Sequence, residues 1–268
     1  MIKLIASQLE GLLSKQTEKL DLSALQRHLK RMKQHGTQLV LFTRSSYPYL
    51  LHKFQSVEGP LDYVAENGAE VVINGVNVQE HQFDAIVLSQ ILDWLDRQPD
   101  FEDATITLSS KTNTITNAKL QDSIYAKLKK SYPTMTPAPD LLMIANHIYQ
   151  IRIDVAAGKM PKCQKELEKK FKDQIRLVPG GQDYFYLVTP EATFANGLAT
   201  IQKHGGIRNR QTAAFGNLAK DFGFMNAAKY SYATPDAPAD VKNVSQSLKG
   251  SNPQPVIFEK FDQLMKQK

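Results

Sequence analysis

The chain has 268 residues, of which 42% are hydrophobic and 22% charged, a composition typical of a globular protein with one large or two ordinary domains. Its net charge of +6 is spread over predicted helix faces without a recognised nucleic-acid module, and no apolar run reaches the roughly 18 residues of a membrane span, so we expect neither nucleic acid nor membrane as a partner. Cys163 is the only cysteine, which excludes an intramolecular disulfide and favours a cytoplasmic location.

The first part of the chain has the pattern of a parallel α/β protein. Apolar residues recur at helical spacing from Leu22 to Met32, and Gly36 stands where a helix C-cap glycine is expected. An apolar run lies on each side of this predicted helix. A strand, a helix and a second buried strand predict a parallel sheet. Asn74-Gly75 predicts a hairpin turn. The strands predicted here are 2–6, 38–42, 63–65 and 71–73.

From about residue 82 to residue 189 the pattern changes to α+β with hairpins. We predict Cys163 on a helix surface, and Gly180-Gly181 in a turn between two strands. The aromatic residues of this part are interpreted as packing, with a partner-binding face as the alternative. They are Trp94, Tyr125, Tyr132, Tyr149 and Tyr184–Tyr186. The predicted helices are 83–95, 118–130 and 163–171, and the predicted strands are 104–108, 148–155, 175–178 and 184–188.

After Pro190 the parallel pattern returns. The predicted helices are 196–204, 218–228, 241–248 and 256–265, and the predicted strands are 212–215 and 230–233. The sequence therefore predicts an α/β core formed by residues 1–81 and 190–268, with an inserted α+β domain at 82–189.

Several short motifs occur in an order and spacing that resemble a known family. They are Ile2–Ala6 with Gly11, Leu41-Phe42-Thr43, Glu66-Asn67-Gly68-Ala69, Ala213–Gly216 leading to Asp221, Asp240-Val241-Lys242, and Gly250-Ser251-Asn252. The chain resembles the Cof-type hydrolases of the haloacid dehalogenase (HAD) superfamily along essentially its whole length. The resemblance implies a Rossmann-like core with a parallel sheet and an inserted α+β cap of the C2B type.

Active members of this family hydrolyse phosphate esters, such as sugar phosphates, with an aspartate nucleophile, a second aspartate as acid and base, and Mg²⁺. The resemblance places these two roles at Gln8 and Glu10, and assigns phosphoryl binding to Thr43. An amide is a poor nucleophile and a weaker Mg²⁺ ligand than a carboxylate. The longer side chain of Glu10 also displaces the carboxyl group by roughly 1.5 Å, a carbon–carbon bond length.

Two further motifs depart from the family pattern in the same way. The lysine that holds phosphate corresponds to Phe194, and the first acidic residue of the metal motif corresponds to Asn217. Asp221 is the acidic residue that remains, beside Lys220. Nucleophile, phosphate lysine and metal aspartate are thus all replaced, so we expect that phosphatase activity by the family mechanism is absent and that no cofactor is used, with Mg²⁺ required if the protein is active.

The remaining polar residues still suit an anion. Thr43, Asn67 and Asn217 could hydrogen-bond one, and Arg44 could restore the charge lost at Phe194. We therefore expect a pseudoenzyme that binds an anionic or phosphorylated small molecule. Three alternatives stay open: Arg44 points to solvent while Thr43 caps a turn, the protein is a slow Mg²⁺-dependent phosphatase of sugar phosphates or nucleotides, or the cap is a protein-interaction module whose partner is unknown.

Overall fold

A computed structural model describes residues 1–12, 19–143, 145–217 and 222–266. The chain forms two compact units. The core unit comprises Met1–Arg44, Phe54–Gln79 and Thr193–Lys268, and the cap unit comprises Ser45–Lys53 and Glu80–Ala192. The boundaries lie two to three residues from those expected at 81/82 and 189/190, and the segment 45–53, which the sequence predicts in the core, belongs to the cap unit.

The strands and helices of the described residues, in chain order, are as follows. The strands are β1 (Leu4–Gln8), β2 (Gln38–Phe42), β3 (Leu61–Ala65), β4 (Glu70–Ile73), β5 (Val76–Glu80), β6 (Thr105–Ser110), β7 (Thr114–Thr116), β8 (Thr136–Pro137), β9 (Ile148–Asp154), β10 (Arg176–Pro179), β11 (Tyr184–Val188), β12 (Thr212–Gly216), β13 (Tyr230–Ala233) and β14 (Gln246–Ser247). The helices are α1 (Leu22–His35), α2 (Tyr47–Lys53), α3 (Ala85–Asp96), α4 (Ser123–Ser131), α5 (Met160–Phe171), α6 (Phe194–Gly205), α7 (Phe222–Asn226), α8 (Ala239–Asn243) and α9 (Pro253–Lys266). Within the described ranges we find no helix with the length and apolarity that a bilayer crossing requires.

The core unit is built on one sheet in the order β14-β13-β12-β1-β2-β3-β4-β5. All pairs from β14 to β3 are parallel, and β3 pairs with β4 antiparallel. The central strand β1 is buried along its whole length, as expected for a parallel sheet covered on both faces. These pairings confirm the α/β fold class with a parallel core sheet.

Helix α1 shows how the local sequence defines an element of this unit. The Asp21 side chain accepts a hydrogen bond from the Ala24 N–H at the N-terminus, and Gly36 ends the helix in the left-handed conformation with φ of 63°. Leu29 and Met32 lie on the buried face. Both the apolar periodicity and the predicted C-cap glycine are confirmed.

Three phenylalanines from different elements form an aromatic cluster in the core unit. The ring of Phe42, at the end of β2, stacks on that of Phe224 with a centroid distance of 4.6 Å and an interplanar angle of 6°. Phe194, at the start of α6, meets Phe42 and Phe224 edge-on, at centroid distances of 5.5 and 6.1 Å. Phe194 is therefore part of the hydrophobic core, and its ring joins β2, α6 and α7.

The cap unit is an α+β domain around a second sheet in the order β10-β11-β9-β6-β7-β8. Its long central pairs are antiparallel. Cys163 on α5 is completely buried, so the prediction of a surface position is wrong. It lies on the same face of α5 as Leu167 and Phe171, which pack in the same apolar cluster.

The aromatic residues of the cap unit mainly pack inside it. Trp94 makes edge-on contacts with Phe101 and Phe171, and Tyr132 and Tyr149 are buried. This confirms the packing interpretation for Tyr132 and Tyr149, because buried rings do not form a partner-binding face. Trp94 is partly buried and packs against the apolar cluster of the cap unit.

One helix of the cap unit begins later in the chain than the sequence predicts. The helix expected at 118–130 starts at Ser123. The preceding residues form a turn in which the Asp122 carboxylate accepts a hydrogen bond from the Lys119 N–H, at 2.8 Å. Local side-chain bonds of this kind compete with helix formation.

Two predicted helices of the core unit also differ. The one expected at 241–248 is α8 followed by β14, because the chain there pairs with β13 through Ser247 and Ala233. The one expected at 218–228 overlaps α7, and its residues 218–221 lie outside the described residues. Pairing with a distant strand carries no local sequence signal, which explains the missing β14.

The aromatic cluster leads to a prediction of stability. Replacing Phe194 by alanine should lower the free energy of unfolding by about 3 kcal/mol or more, because it removes a buried ring from between two others. Phe194→Leu should cost less. Denaturant unfolding would measure both, and a loss below about 0.5 kcal/mol for Phe194→Ala, as at an exposed site, would contradict the assignment of this residue to the core.

A buried carboxyl group gives a second prediction. Asp62, on β3, accepts hydrogen bonds from the Gln38 side chain and the Asn74 N–H. Burial raises its pKa, an effect that the bond from Asn74 only partly offsets. A carboxyl whose folded-state pKa lies above the unfolded value favours folding when protonated, and this contribution is lost as the pH rises through the interval between the two values.

We therefore expect that the free energy of unfolding of Asp62→Asn, relative to that of the unchanged protein, increases from about pH 4 to about pH 7. Parallel denaturant titrations across this range would measure it. A difference between the two proteins that does not change with pH would show that the pKa of Asp62 is not raised.

Candidate functional site

Most of the predicted site residues lie where strands of the core sheet end. Gln8 is the last residue of β1, and Thr43, Asn67 and Asn217 come shortly after β2, β3 and β12. Backbone hydrogen bonds tie these ends together: the Thr43 N–H donates to the Val64 carbonyl at 3.0 Å, and the Asn67 N–H donates to the Thr43 carbonyl at 3.1 Å. In parallel α/β sheets, this edge is where ligands bind.

Gln8 occupies the centre of this edge. Its side chain is 1% exposed, and neither its amide oxygen nor its amide nitrogen has a hydrogen-bond partner among the described residues. A buried amide without partners is costly, at about 1–3 kcal/mol for each unsatisfied group. The amide is therefore a donor and an acceptor available to a ligand or to water.

Glu10 forms a compact polar cluster with the first two residues after β2. The Thr43 hydroxyl donates a hydrogen bond of 2.9 Å to Glu10 Oε1, and the Arg44 backbone N–H lies 3.4 Å from the same oxygen. The Arg44 Nε is 3.7 Å from it, and both charged side chains are less than one quarter exposed. Arg44 thus turns toward the site, which rules out the alternative that it points to solvent.

The turn after β3 contains three consecutive residues with positive φ angles. They are Glu66 at 51°, Asn67 at 58° and Gly68 at 101°, of which asparagine and glycine adopt this conformation most readily. A Cβ atom on Gly68 would lie only 2.4 Å from the Thr193 carbonyl carbon, so the glycine allows the turn to pack against the residue that caps α6. Asn67 is therefore held at the edge of the site next to the N-terminus of α6.

Asn217 lies close to the loop that carries Glu10. A Cβ atom on Gly11 would be 3.6 Å from the Asn217 side-chain carbon Cγ and 3.4 Å from the Thr234 methyl group. Thr234 is buried, its N–H donates to the Gly216 carbonyl, and its hydroxyl hydrogen-bonds the Asp236 carboxylate. Sequence reasoning missed Thr234 and Asp236, although their position directly after the parallel strand β13 is the signal that would have identified them.

The remaining predicted site residues divide into two groups. Phe194 begins α6 but its ring lies in the aromatic cluster, so it offers the site no charge and no hydrogen bond. Asp221 lies outside the described residues. Gln8, Glu10, Thr43 and Arg44 are thus the residues that the structure brings together most directly.

The described residues offer few ligands for a divalent cation at this edge. Glu10 and Asp236 provide carboxylates, but that of Glu10 is bound to Thr43 and Arg44, and that of Asp236 is bound to the Thr234 hydroxyl. Gln8 and Asn217 carry amides where carboxylates would bind a cation more strongly. Within the described ranges no group of three His, Cys, Asp or Glu side chains could hold a metal. The arrangement is better suited to hydrogen-bonding an oxyanion, through the Thr43 hydroxyl, the Gln8 amide and Arg44.

Comparison with known proteins agrees with this architecture. The curated 5-amino-6-(5-phospho-D-ribitylamino)uracil phosphatase YbjI of Escherichia coli K12 is 23% identical over 265 residues, which cover 99% of this chain and 97% of that protein. The solved structure of SMU.1108c from Streptococcus mutans UA159 is 19% identical, with a TM-score of 0.86 and full coverage of both chains. A haloacid dehalogenase-like hydrolase from Bacteroides thetaiotaomicron is 18% identical, with a TM-score of 0.83 over 98% of this chain and all of that one.

The two solved structures, at these identities, show the fold alone, and they support a HAD-like core with a cap domain. The model of one protein family matches residues 5–260, which is nearly the whole chain. The chain therefore belongs to the family of haloacid dehalogenase-like hydrolases.

Proposed function

We propose that this protein binds a phosphorylated small molecule at the carboxyl edge of its core sheet without metal-dependent hydrolysis, as a pseudoenzyme of the cytoplasm. The observation that carries the proposal is the buried Gln8 amide, which lacks hydrogen-bond partners among the described residues and stands beside the cluster of Glu10, Thr43 and Arg44. This edge can donate hydrogen bonds to a phosphate oxygen through a hydroxyl, an amide and a guanidinium group.

The side chains at this edge argue against covalent catalysis. Nucleophilic attack on phosphorus requires an anionic or activated oxygen, and the Gln8 amide is neither. Glu10 carries a carboxylate, but Oε1 of that carboxylate accepts hydrogen bonds from Thr43 and Arg44. These contacts hold the carboxylate as an acceptor and reduce its availability as a base.

Phosphatases of this family generally use Mg²⁺, which when bound would neutralise charge on the phosphate and the nucleophile. The described residues do not fit this ion well, because amides replace carboxylates at Gln8 and Asn217 and the Glu10 carboxylate is paired with Arg44. We infer that Arg44, rather than a metal, provides the positive charge for a bound anion.

The class of ligand is supported by the curated relative. That protein is named for the dephosphorylation of a ribitylaminouracil phosphate, a phosphate monoester. A monoester presents three terminal oxygens, which suits a site with several separate donors. The chain shares its fold along almost its whole length with this family, so we propose a phosphate monoester as the ligand class.

A slow Mg²⁺-dependent phosphatase is the second candidate. It is favoured by the second carboxylate oxygen of Glu10, Oε2, which is buried and has no partner among the described residues. This oxygen could accept a proton from an attacking water molecule. In this reading Asp221, which lies outside the described residues, would contribute the second carboxylate.

A turnover assay separates the two candidates. We expect no Mg²⁺-dependent release of phosphate from sugar phosphates, nucleotides or an activated aryl phosphate, because the nucleophile position carries an amide. Isothermal titration calorimetry with the same compounds and without metal should detect binding. Ordinary turnover that requires Mg²⁺ would contradict the proposal and support the phosphatase.

Variants provide the control for this assay. Gln8→Asp together with Asn217→Asp should gain Mg²⁺-dependent activity, since both changes restore carboxylates at the edge of the sheet. We keep Phe194 unchanged in this double variant because lysine at that position would disrupt the aromatic cluster. Gln8→Asn, which keeps the amide, is the matched variant and should remain inactive.

A further inference from the structure

The Glu10 carboxylate is held by the same kinds of group that would hold a phosphate oxygen. One oxygen, Oε1, is 2.9 Å from the Thr43 hydroxyl, 3.4 Å from the Arg44 N–H and 3.7 Å from the Arg44 guanidinium. Hydroxyl, backbone N–H and guanidinium donors bind carboxylates and phosphates alike, because both are oxyanions with lone pairs in similar directions. One oxygen of Glu10 therefore lies close to donors of two consecutive residues, Thr43 and Arg44.

The same place contains polar atoms whose hydrogen bonds are incomplete. Both amide atoms of Gln8 and the Oε2 atom of Glu10 are buried and lack partners among the described residues. Buried polar groups are usually paired, and each exception calls for water or a ligand. Glu10 thus accepts hydrogen bonds from Thr43 and Arg44, while the Gln8 amide has no hydrogen-bond partner among the described residues.

We propose that the Glu10 carboxylate is an internal competitor of the ligand: it occupies the position of a phosphate oxygen against Thr43 and Arg44, and a phosphate monoester binds by displacing it. The inference rests on the proposed function. Displacement releases Thr43 and Arg44 to the incoming oxyanion and brings an acceptor to the Gln8 amide N–H. Glu10 consequently sets the affinity of the site and selects for ligands with enough negative charge to compete with it.

The electrostatics of the exchange support this role. With Glu10 in place, the Glu10–Arg44 pair has no net charge, and a dianionic phosphate entering beside it would be repelled by the carboxylate. When the carboxylate moves away, this repulsion is removed and the positive charge of Arg44 attracts the phosphate. A neutral ligand gains little from this exchange, since it does not compete for the charge of Arg44.

The test is calorimetric titration of the whole protein with inorganic phosphate and, as a neutral comparison, with glucose. Glu10→Ala should lower the dissociation constant for phosphate by about tenfold or more, and Glu10→Gln, which keeps the acceptor oxygen but removes the charge, by less. Glucose binding should not change. Adding Thr43→Val to Glu10→Ala should reduce the gain, because one of the two side-chain donors that Glu10 had occupied is then missing.

Two further variants separate displacement from a general effect of charge. Glu10→Asp keeps the charge but withdraws the carboxyl group by about 1.5 Å, so it should also tighten phosphate binding. Glu58→Gln removes the same charge from an exposed residue ahead of β3, at the opposite edge of the sheet, and should leave binding unchanged. A gain in Glu10→Gln without one in Glu10→Asp would show a charge effect only and would overturn the proposal.

The remaining outcomes distinguish this inference from the proposed function. If the unchanged protein binds phosphate and neither Glu10→Ala nor Glu10→Gln binds it more tightly, Glu10 is not a competitor although the site is an anion site. If neither the unchanged protein nor any folded Glu10 variant binds phosphate or a phosphate monoester, both proposals fail. Circular dichroism and thermal unfolding of each variant establish that it is folded.

Discussion

The parallel pairing of β1 between β2 and β12 determines where every residue of the candidate site lies. The register aligns Gln8 with Phe42 and Ser7 with both Leu41 and Phe215, so the three strands end at the same edge of the sheet. The loops that leave this edge carry Glu10, Thr43 and Asn217. Strand pairing brings these residues together whatever their side chains are. The location of the site therefore does not depend on which side chains it contains.

The identity of the side chains then decides what the site can do. The family resemblance implies a lysine at the position where Phe194 starts α6, whereas the Phe194 ring completes a cluster with Phe42 and Phe224. This ring contributes to the hydrophobic core and brings no charge to the site. Among the described residues, Glu10 and Arg44 form an ion pair at this edge. Phe194 therefore serves stability, while the anion binding that we propose depends on other residues.

Much of the fold could be predicted from the sequence because local signals and the family resemblance agree. Continuous apolar runs identified β2 and β11, and an apolar periodicity ending at Gly36 identified α1. The parts that were missed depend on partners distant in the chain. The strand β14 forms by pairing with β13, and Cys163 is buried by an apolar cluster that spans the cap unit.

The same distinction applies to the candidate site. The family resemblance could predict that Gln8, Glu10, Thr43 and Asn217 belong to one region, and the structure places each of them at or just after the end of a parallel strand. It could not predict that Glu10 accepts hydrogen bonds from Thr43 and Arg44, because rotamers and the conformation of two loops decide that contact. Nor did it identify Thr234, which lies close enough to Gly11 that a Cβ atom on this glycine would be 3.4 Å from the Thr234 methyl group.

The central claim is that this edge binds an oxyanion directly through side chains. The most direct measurement is a crystal structure of the protein grown with tungstate, an oxyanion whose metal atom is located by anomalous scattering. The account predicts tungstate within hydrogen-bond distance of the Thr43 hydroxyl and the Gln8 amide, with the Glu10 carboxylate moved away from Thr43. Tungstate bound only elsewhere, with the contact between Glu10 and Thr43 intact, would contradict it.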